Sequence, residues 1–151
     1  MQQPFQHPDI IAYSQLLAAS FTQLTGQHLL PAGPDFAQRL YEAPFVLISH
    51  GMQPDPVFCY ANLAAQQLWQ MDWAAFTAMP SRLSAEPMLQ AERDQLLATA
   101  HRQGYVENFA GIRIAKNGQR FKIMDNVLWN VMDEAGVQHG QACIIRRWLA
   151  C

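Results

Sequence analysis

The sequence predicts an α+β fold: a five-stranded antiparallel sheet with helices on one face, preceded by an N-terminal helix. Two observations favour this fold. Residues 109–148 contain three strand-like runs, separated by turn signals at Asn117-Gly118 and at residues 133–136. Earlier, strand-like runs at residues 43–49 and 57–60 are followed by helical patterns that continue to Gly104. Helices gathered between the second and third strands are typical of a layered α+β arrangement.

The Asn117-Gly118 pair is the strongest hairpin signal in the chain, because a two-residue type I′ loop needs positive φ at both positions. A two-residue loop there pairs Ile114 with Phe121 and places both on one apolar face of the sheet. The same face is predicted to hold Ile112, Ile123, Asp125, Val127 and Trp129. The opposite face is predicted to hold Phe109, Gly111, Arg113, Met124 and Leu128.

Residues 8–25 form the first predicted helix. Pro8 suits the first helical position, Gly26 can end the helix, and apolar side chains recur at three- and four-residue spacing. This stripe consists of Ile10, Tyr13, Leu17, Phe21 and Leu24. We expect residues 1–41 to form an N-terminal helical extension and residues 42–149 to form the main domain. The stripe can cover the apolar outer face of the sheet or pair with a second copy. We predict a homodimer that uses this helix and the outer sheet face.

The composition excludes several classes of protein. A chain of 151 residues that is 50% hydrophobic is long enough for one packed core. A net charge of −2 with scattered signs gives no footprint for nucleic acid or an anionic membrane surface. No apolar run approaches the ~20 residues of a membrane-spanning helix. The N-terminus lacks the pattern of a signal peptide, and three cysteines without metal-ligand spacing indicate a reduced, cytoplasmic protein.

The longest internal helix is predicted to begin near Ser84, a plausible N-cap, and to end at Gly104. Its apolar stripe consists of Leu89, Leu96, Leu97 and Ala100. Arg93 lies within this stripe, and Asp125 lies within the inward face of the predicted strand. Because an unpaired buried charge is costly, the two are predicted either to form a buried ion pair or to anchor a ligand together.

Several short motifs carry a resemblance to a known family. They are Tyr60-Ala-Asn62 with the helix at 64–69, Pro80-Ser-Arg-Leu-Ser-Ala-Glu-Pro87, Gly111-Ile-Arg-Ile114, Gly118-Gln-Arg-Phe121, Leu128-Trp-Asn130 and Gly140-Gln-Ala142. Across residues 40–149 the sequence resembles the MEKHLA family, a PAS-like group of small bacterial proteins. This family also forms the C-terminal domain of certain plant homeodomain–leucine-zipper regulators.

The resemblance implies a PAS-like sensory or ligand-binding domain. PAS relatives bind small molecules between the sheet and the helices, often dimerise, and relay signals to a protein partner. The candidate ligand-binding residues are Tyr60, Asn62, Trp69, Arg82, Ser84, Glu86, Arg93, Ile112, Phe121, Asp125 and Trp129. The aromatic residues fit ordinary core packing equally well, and the polar residues at 82–86 fit helix capping and loop bracing. The alternative is therefore a structural dimerisation or interaction module with a filled core and no ligand.

The sequence names no cofactor. Haem-binding PAS relatives use a histidine on the long helix. Here His101 falls in the last predicted turn, where a positive charge interacts favourably with the helix dipole, so its presence needs no haem to explain it. Flavin-photoreceptor relatives use a cysteine in a helical motif, whereas Cys59 and Cys143 fall on predicted strands. Without a phosphate loop or a nucleophile–base pattern, the sequence predicts a protein that is not an enzyme. A third hypothesis is an enzyme with a polar pocket around Arg93 and Asp125.

Overall fold

The computed structural model describes residues 2–151, apart from the side chains of residues 87 and 88. Two short 3-10 turns at Pro4–Gln6 and Ser81–Ser84 accompany the regular elements. The helices are α1 (Pro8–Thr25), α2 (Phe36–Tyr41), α3 (Leu63–Trp69), α4 (Trp73–Phe76) and α5 (Pro87–Gln103). The strands are β1 (Val46–His50), β2 (Phe58–Ala61), β3 (Tyr105–Glu107), β4 (Gly111–Ile114), β5 (Arg120–Met132) and β6 (Gln138–Ala150).

The strands form one antiparallel sheet in the order β2-β1-β6-β5, with β3 and β4 both paired to β5. β3 pairs with the second half of β5, where Tyr105 lies opposite Trp129. β4 pairs with the first half, where Ile114 lies opposite Arg120. Six strands therefore occupy five positions, because β3 and β4 lie end to end along one neighbour. The predicted α+β fold with an antiparallel sheet is confirmed.

The predicted register of the β4–β5 hairpin is wrong by one residue. Ile114 pairs with Arg120 rather than Phe121, so Ile114 and Phe121 lie on opposite faces. The loop has three residues, because Ala115 and Gln119 are already paired and the Gly118 N–H donates to the Ala115 carbonyl over 2.9 Å. Gly118 takes a φ of 87° while Asn117 does not take a positive φ, which excludes a type I′ turn and fits a turn closed by a left-handed glycine. The slip places Arg113, instead of Ile112, on the face of Phe121.

A second correction concerns Asp125, which lies exposed at a kink in β5 with a φ of 50°. Because of the kink, odd-numbered residues of β5 before Asp125 face one side of the sheet and those after it face the other side. Phe121 and Ile123 pack under the internal helices, whereas Val127 and Trp129 pack on the other side of the sheet. The prediction that all of them share one face is therefore wrong, as is the placement of Phe109 and Leu128 on the outer face, since both belong to the first core.

Two apolar cores lie on the two sides of the sheet. The first fills the space under α3, α4 and α5. The second lies between the sheet and the N-terminal helices α1 and α2, where Leu17 and Phe21 are completely buried. The Phe21 ring meets Trp129 edge-on with centroids 4.8 Å apart, and the Trp129 indole donates to Ser20 Oγ over 3.1 Å.

The predicted helix at residues 8–25 is confirmed, and it folds back on the sheet of its own chain. Its apolar stripe is thus used within the chain. The division into an extension at 1–41 and a domain at 42–149 stays a prediction. Within the described residues, no helix has the length and apolar character needed to cross a membrane.

Candidate functional site

A small, partly open cavity lies between the sheet and α5, in the first core. Its volume is about 40 Å³, room for about three water-sized groups. Its apolar wall includes Phe58, Trp69, Leu96, Leu97, Ile123 and Leu128. Its polar side chains are His50, Ser81, Ser84, Arg93, Arg113 and Gln141, with the Cys143 thiol beside them. Two guanidinium groups in so small an apolar space make the cavity electropositive.

Arg93 reaches the cavity from the buried side of α5 and is only 6% exposed. Its Nη1 donates to the carboxylate of the next residue, Asp94, over 2.8 Å, and its Nη2 donates to Ser81 Oγ. Burial lowers the pKa of Arg93, the Asp94 carboxylate opposes that change, and nearby Arg113 adds to it. The predicted pairing of Arg93 with Asp125 is wrong, because the kink in β5 turns Asp125 into solvent.

Arg113 enters the same cavity from β4. In the described part of the chain its guanidinium makes one hydrogen bond, from Nη1 to the Ile112 carbonyl over 3.0 Å, and belongs to no ion pair. Burial lowers the pKa of Arg113, with Cys143 and Glu92 acting in the opposite direction. A Cβ on Gly111 would lie 2.9 Å from Arg113 Nη1, so the absence of a side chain at this position leaves space for the guanidinium.

A groove between α5 and β4 adjoins the cavity. It has a volume of about 260 Å³ and shares Arg93, Leu96 and Arg113 with the cavity wall. Its remaining lining residues are Leu89, Glu92, Gln95, Thr99, Ala110, Gly111 and Ile112. The two arginines therefore lie where the small cavity meets the larger groove.

Two residues that line the cavity, His50 and Trp69, each carry a buried polar atom without a hydrogen-bond partner among the described residues: His50 Nε2 and Trp69 Nε1. His50 is 7% exposed and Trp69 is 1% exposed, so water outside the protein does not reach them freely. His50 Nδ1 lies 3.1 Å from the Gly51 carbonyl, which can only accept a hydrogen bond. Nδ1 therefore carries the proton of the neutral ring and leaves Nε2 as an acceptor. Burial lowers the pKa of His50, which favours that neutral form.

Gln141 ties the sheet to α5 beside the cavity. Its Nε2 donates to the Leu97 carbonyl over 3.0 Å and to Asn130 Oδ1 over 3.2 Å. Asn130 in turn donates to the His101 carbonyl over 3.2 Å. These bonds satisfy polar groups that would be costly to bury unpaired, and they fix the distance between helix and sheet.

The structure gathers part of the predicted site. Trp69, Ser84 and Arg93 line the cavity, and Ile112 lines the groove. Phe121 lies behind Trp69, with ring centroids 5.0 Å apart.

The other predicted residues lie elsewhere. Asn62 caps α3 and accepts from the backbone N–H groups of Ala65 and Leu47. Arg82 and Glu86 form ion pairs with Asp55 and Arg120, respectively. Tyr60 and Trp129 belong to the second core, on the far side of the sheet. Ser84 does not cap α5, because Glu86 occupies the N-cap position and Ser84 donates to the Ser81 carbonyl.

Sequence reasoning missed His50, Ser81, Arg113, Gln141 and Cys143. Gln141 carried a usable signal, since it is a polar residue directly before the apolar run at 142–145. His50 follows an apolar strand-like run and lies two residues after Ile48, on the same face. Arg113 was assigned to the wrong face by the slip in hairpin register.

The cavity does not fit a flavin or haem as it stands. Sites for ligands of that size measure ~300–1,000 Å³, several times the volume of this cavity. Cys59 and Cys143 lie on β2 and β6, and His101 is exposed in the last turn of α5. We derive no chemistry through either cofactor.

Structural neighbours define the class of fold. The PAS domain of a protein from Colwellia psychrerythraea matches with a TM-score of 0.64 and 14% identity, over 73% of this chain and 91% of that one. The light-state dimer of the fungal blue-light photoreceptor Vivid matches with a TM-score of 0.62 and 18% identity, over 93% and 95%. An RNA-binding light-oxygen-voltage receptor matches with a TM-score of 0.60 and 18% identity, over 79% of this chain but 35% of the receptor. At these identities the similarity establishes the fold, that of PAS and light-oxygen-voltage sensory domains.

The family is narrower than this fold class. The MEKHLA domain model matches residues 11–150, so the chain belongs to the MEKHLA domain family. The predicted resemblance is confirmed. A comparison with curated proteins gave no match.

Proposed function

We propose that this chain is a sensory domain that binds a small molecule between the sheet and α5 and transmits the binding event to a partner protein. In this proposal the protein binds its ligand and does not convert it chemically. The carrying observation is the cavity with two buried polar atoms, His50 Nε2 and Trp69 Nε1, that have no partners in the described chain. Buried polar groups are normally hydrogen-bonded, so two unpartnered atoms on residues that line one cavity support a bound polar guest.

A continuous set of hydrogen bonds supports transmission from the cavity to α1. Gln141 contacts α5 through its side chain, and its backbone carbonyl accepts a hydrogen bond from Ser49 Oγ over 2.8 Å. Because that hydroxyl proton is used, the Tyr13 hydroxyl donates to Ser49 Oγ, 2.7 Å away. Tyr13 lies on α1, on the opposite side of the sheet. Movement of α5 on ligand binding would therefore change a contact made by the N-terminal helix.

The test uses methyl NMR on the full chain with a library of small fragments, together with native mass spectrometry of the purified protein. Binding in the cavity should shift the signals of Leu96, Leu97 and Ile145, which line it. Cys143→Met adds two carbon atoms to the cavity wall and should abolish these shifts. Cys151→Met makes the same change at an exposed position and should preserve them.

The opposite result would support the alternative of a module with a filled core. If no fragment shifts the signals of the cavity residues and the purified protein has its unliganded mass, the ligand-binding proposal fails. The small volume of the cavity supports this alternative, since a well-packed core also leaves spaces of water size.

The partner side of the proposal includes a homodimer. The Vivid structure is described as a light-state dimer, which supports looking for self-association in a chain of the same fold. Since the apolar stripe of α1 lies on its own sheet, such a dimer would use the outward side of α1, where Ile11 is 42% exposed. Light scattering at tens of micromolar tests it, and a monomeric mass would refute it. The free thiols of all three cysteines support placing the protein in the reducing cytoplasm.

A further inference from the structure

The charge balance of the cavity indicates what kind of guest it accepts. The positive charge of Arg93 is matched by Asp94, 2.8 Å away. Arg113 has no carboxylate at ion-pair distance among the residues that the structure describes, although Glu92 lines the groove with it and favours its charged form from farther away. A guanidinium that has lost much of its hydration is stabilised strongly by a planar anion that accepts two of its N–H groups. Arg113 can therefore take one directly paired negative charge, while Glu92 disfavours any further negative charge in the groove.

The remaining polar atoms refine this requirement. Neutral His50 offers Nε2 as a hydrogen-bond acceptor, so a guest must bring a donor to satisfy it. Trp69 Nε1 is a donor and would complement the anion instead. The rest of the wall is apolar and aromatic, and the adjoining groove of about 260 Å³ gives space for a short apolar body.

We infer that the site binds a small hydroxycarboxylate, with its carboxylate on the Arg113 guanidinium, its hydroxyl donating to His50 Nε2, and its apolar body against Leu96 in the groove. This inference rests on the proposed function and specifies the ligand class. A phosphate monoester carries close to two negative charges at neutral pH and would leave one of them unmatched beside a single free cation. A carboxylate is therefore the better match to the observed charge balance.

The test measures binding to the full chain by calorimetry, with 2-hydroxyisocaproate, its uncharged amide, isocaproate without the hydroxyl, and inorganic phosphate as probes. The hydroxycarboxylate should bind most tightly. Loss of a charge-assisted bidentate contact in Arg113→Gln should weaken it roughly 10- to 100-fold. Arg102→Gln, an exposed change on α5, is the matched control and should leave the affinity unchanged. Arg113→Lys keeps the charge and should weaken binding less than Arg113→Gln, which preserves the test if the glutamine variant folds poorly.

A second variant moves the affinity in the opposite direction. Asp94→Asn removes the carboxylate that matches Arg93 and leaves a second uncompensated cation. It should tighten 2-hydroxyisocaproate and increase the relative affinity for phosphate. A merely structural role of these residues would not produce tighter binding.

Several outcomes would overturn the inference. Equal binding of the acid and its amide, or unchanged affinity in Arg113→Gln, would exclude the carboxylate contact. Phosphate binding more tightly than any carboxylate would assign the site to another class of anion. Equal binding of isocaproate would remove the role given to His50. If anions fail while neutral fragments still shift the signals of Leu97, the ligand class is wrong and the cavity remains a binding site. If both fail, the proposed function falls as well.

Discussion

Gly140 leaves no room for a side chain between β6 and β1, and Gly140→Ala tests that geometry. A Cβ at this position would lie 2.1 Å from the His50 carbonyl oxygen and 3.3 Å from the Tyr13 hydroxyl. The nearer atom belongs to the backbone of β1, so it cannot turn aside as a flexible side chain would. Relief requires β1 and β6 to separate next to the pair formed by His50 and Gln141.

The expected cost follows from this overlap. Overpacking in a well-packed core costs about 1–3 kcal/mol and occasionally more, and a backbone overlap of more than 1 Å places Gly140→Ala at about 3 kcal/mol. For a chain of this length that corresponds to a fall in Tm of about 6–12 °C. Chemical denaturation followed by tryptophan fluorescence measures the free energy of unfolding, since Trp129 and Trp69 are buried in the two cores.

Gly118→Ala is the matched control. No atom lies within 4 Å of a Cβ at Gly118, and its φ of 87° is the source of the expected cost, about 1 kcal/mol. The difference between the two variants therefore isolates the steric overlap at Gly140. If Gly140→Ala loses no more stability than Gly118→Ala, the close approach of β6 to β1 described above is wrong.

Three further predictions address the kink, the N-terminal helix and the buried histidine. Asp125→Gly should raise the free energy of unfolding by about 0.5–1 kcal/mol, because glycine adopts the observed φ of 50° without strain. A fall of several kcal/mol in chemical denaturation would instead indicate a buried partner for Asp125. Leu17→Ala should lower the free energy of unfolding by about 2–5 kcal/mol, because it leaves a cavity in the second core. Ile11→Ala, at a position that is 42% exposed, should lower it by less than about 1 kcal/mol. Equal effects in chemical denaturation would argue against the packing of α1 on the sheet. Burial lowers the pKa of His50, with the charge of Arg93 contributing, so the unfolded chain binds more protons than the folded chain below pH 6.5. The contribution of His50 to stability should therefore be fully present above pH 6.5, and the free energy of unfolding should fall as the pH drops from 6.5 toward the lowered pKa. This pH dependence should be weaker in His50→Gln.

The sequence alone determined the local elements and the family. The periodicity of residues 8–25 located α1, with Gly26 at its end, because an amphipathic stripe and a left-handed stop are local properties. The order of strands and helices predicted the antiparallel α+β sheet. The short motifs identified the family that the match over residues 11–150 then confirmed.

Only the tertiary structure decided the register and the faces. Asn117-Gly118 is compatible with a two-residue or a three-residue loop, and the choice moves every side chain of β4 to the other face. The left-handed conformation of Asp125 then exchanges the faces again further along β5. Neither event has a distinct sequence signal, since each depends on how the whole sheet packs.

The composition of the site depends on those two events. Arg93 was identified because it lies within the apolar stripe of α5, and Trp69 because aromatic side chains can line an apolar pocket. Arg113 was missed because the register was slipped, and Asp125 was included because a straight strand would have turned it inward. The charge that a ligand would meet is set by Arg113, which the fold brings beside a residue 20 positions earlier. Local sequence rules determine which side chains face inward along a regular element, but the packing of strands and helices determines which of them meet.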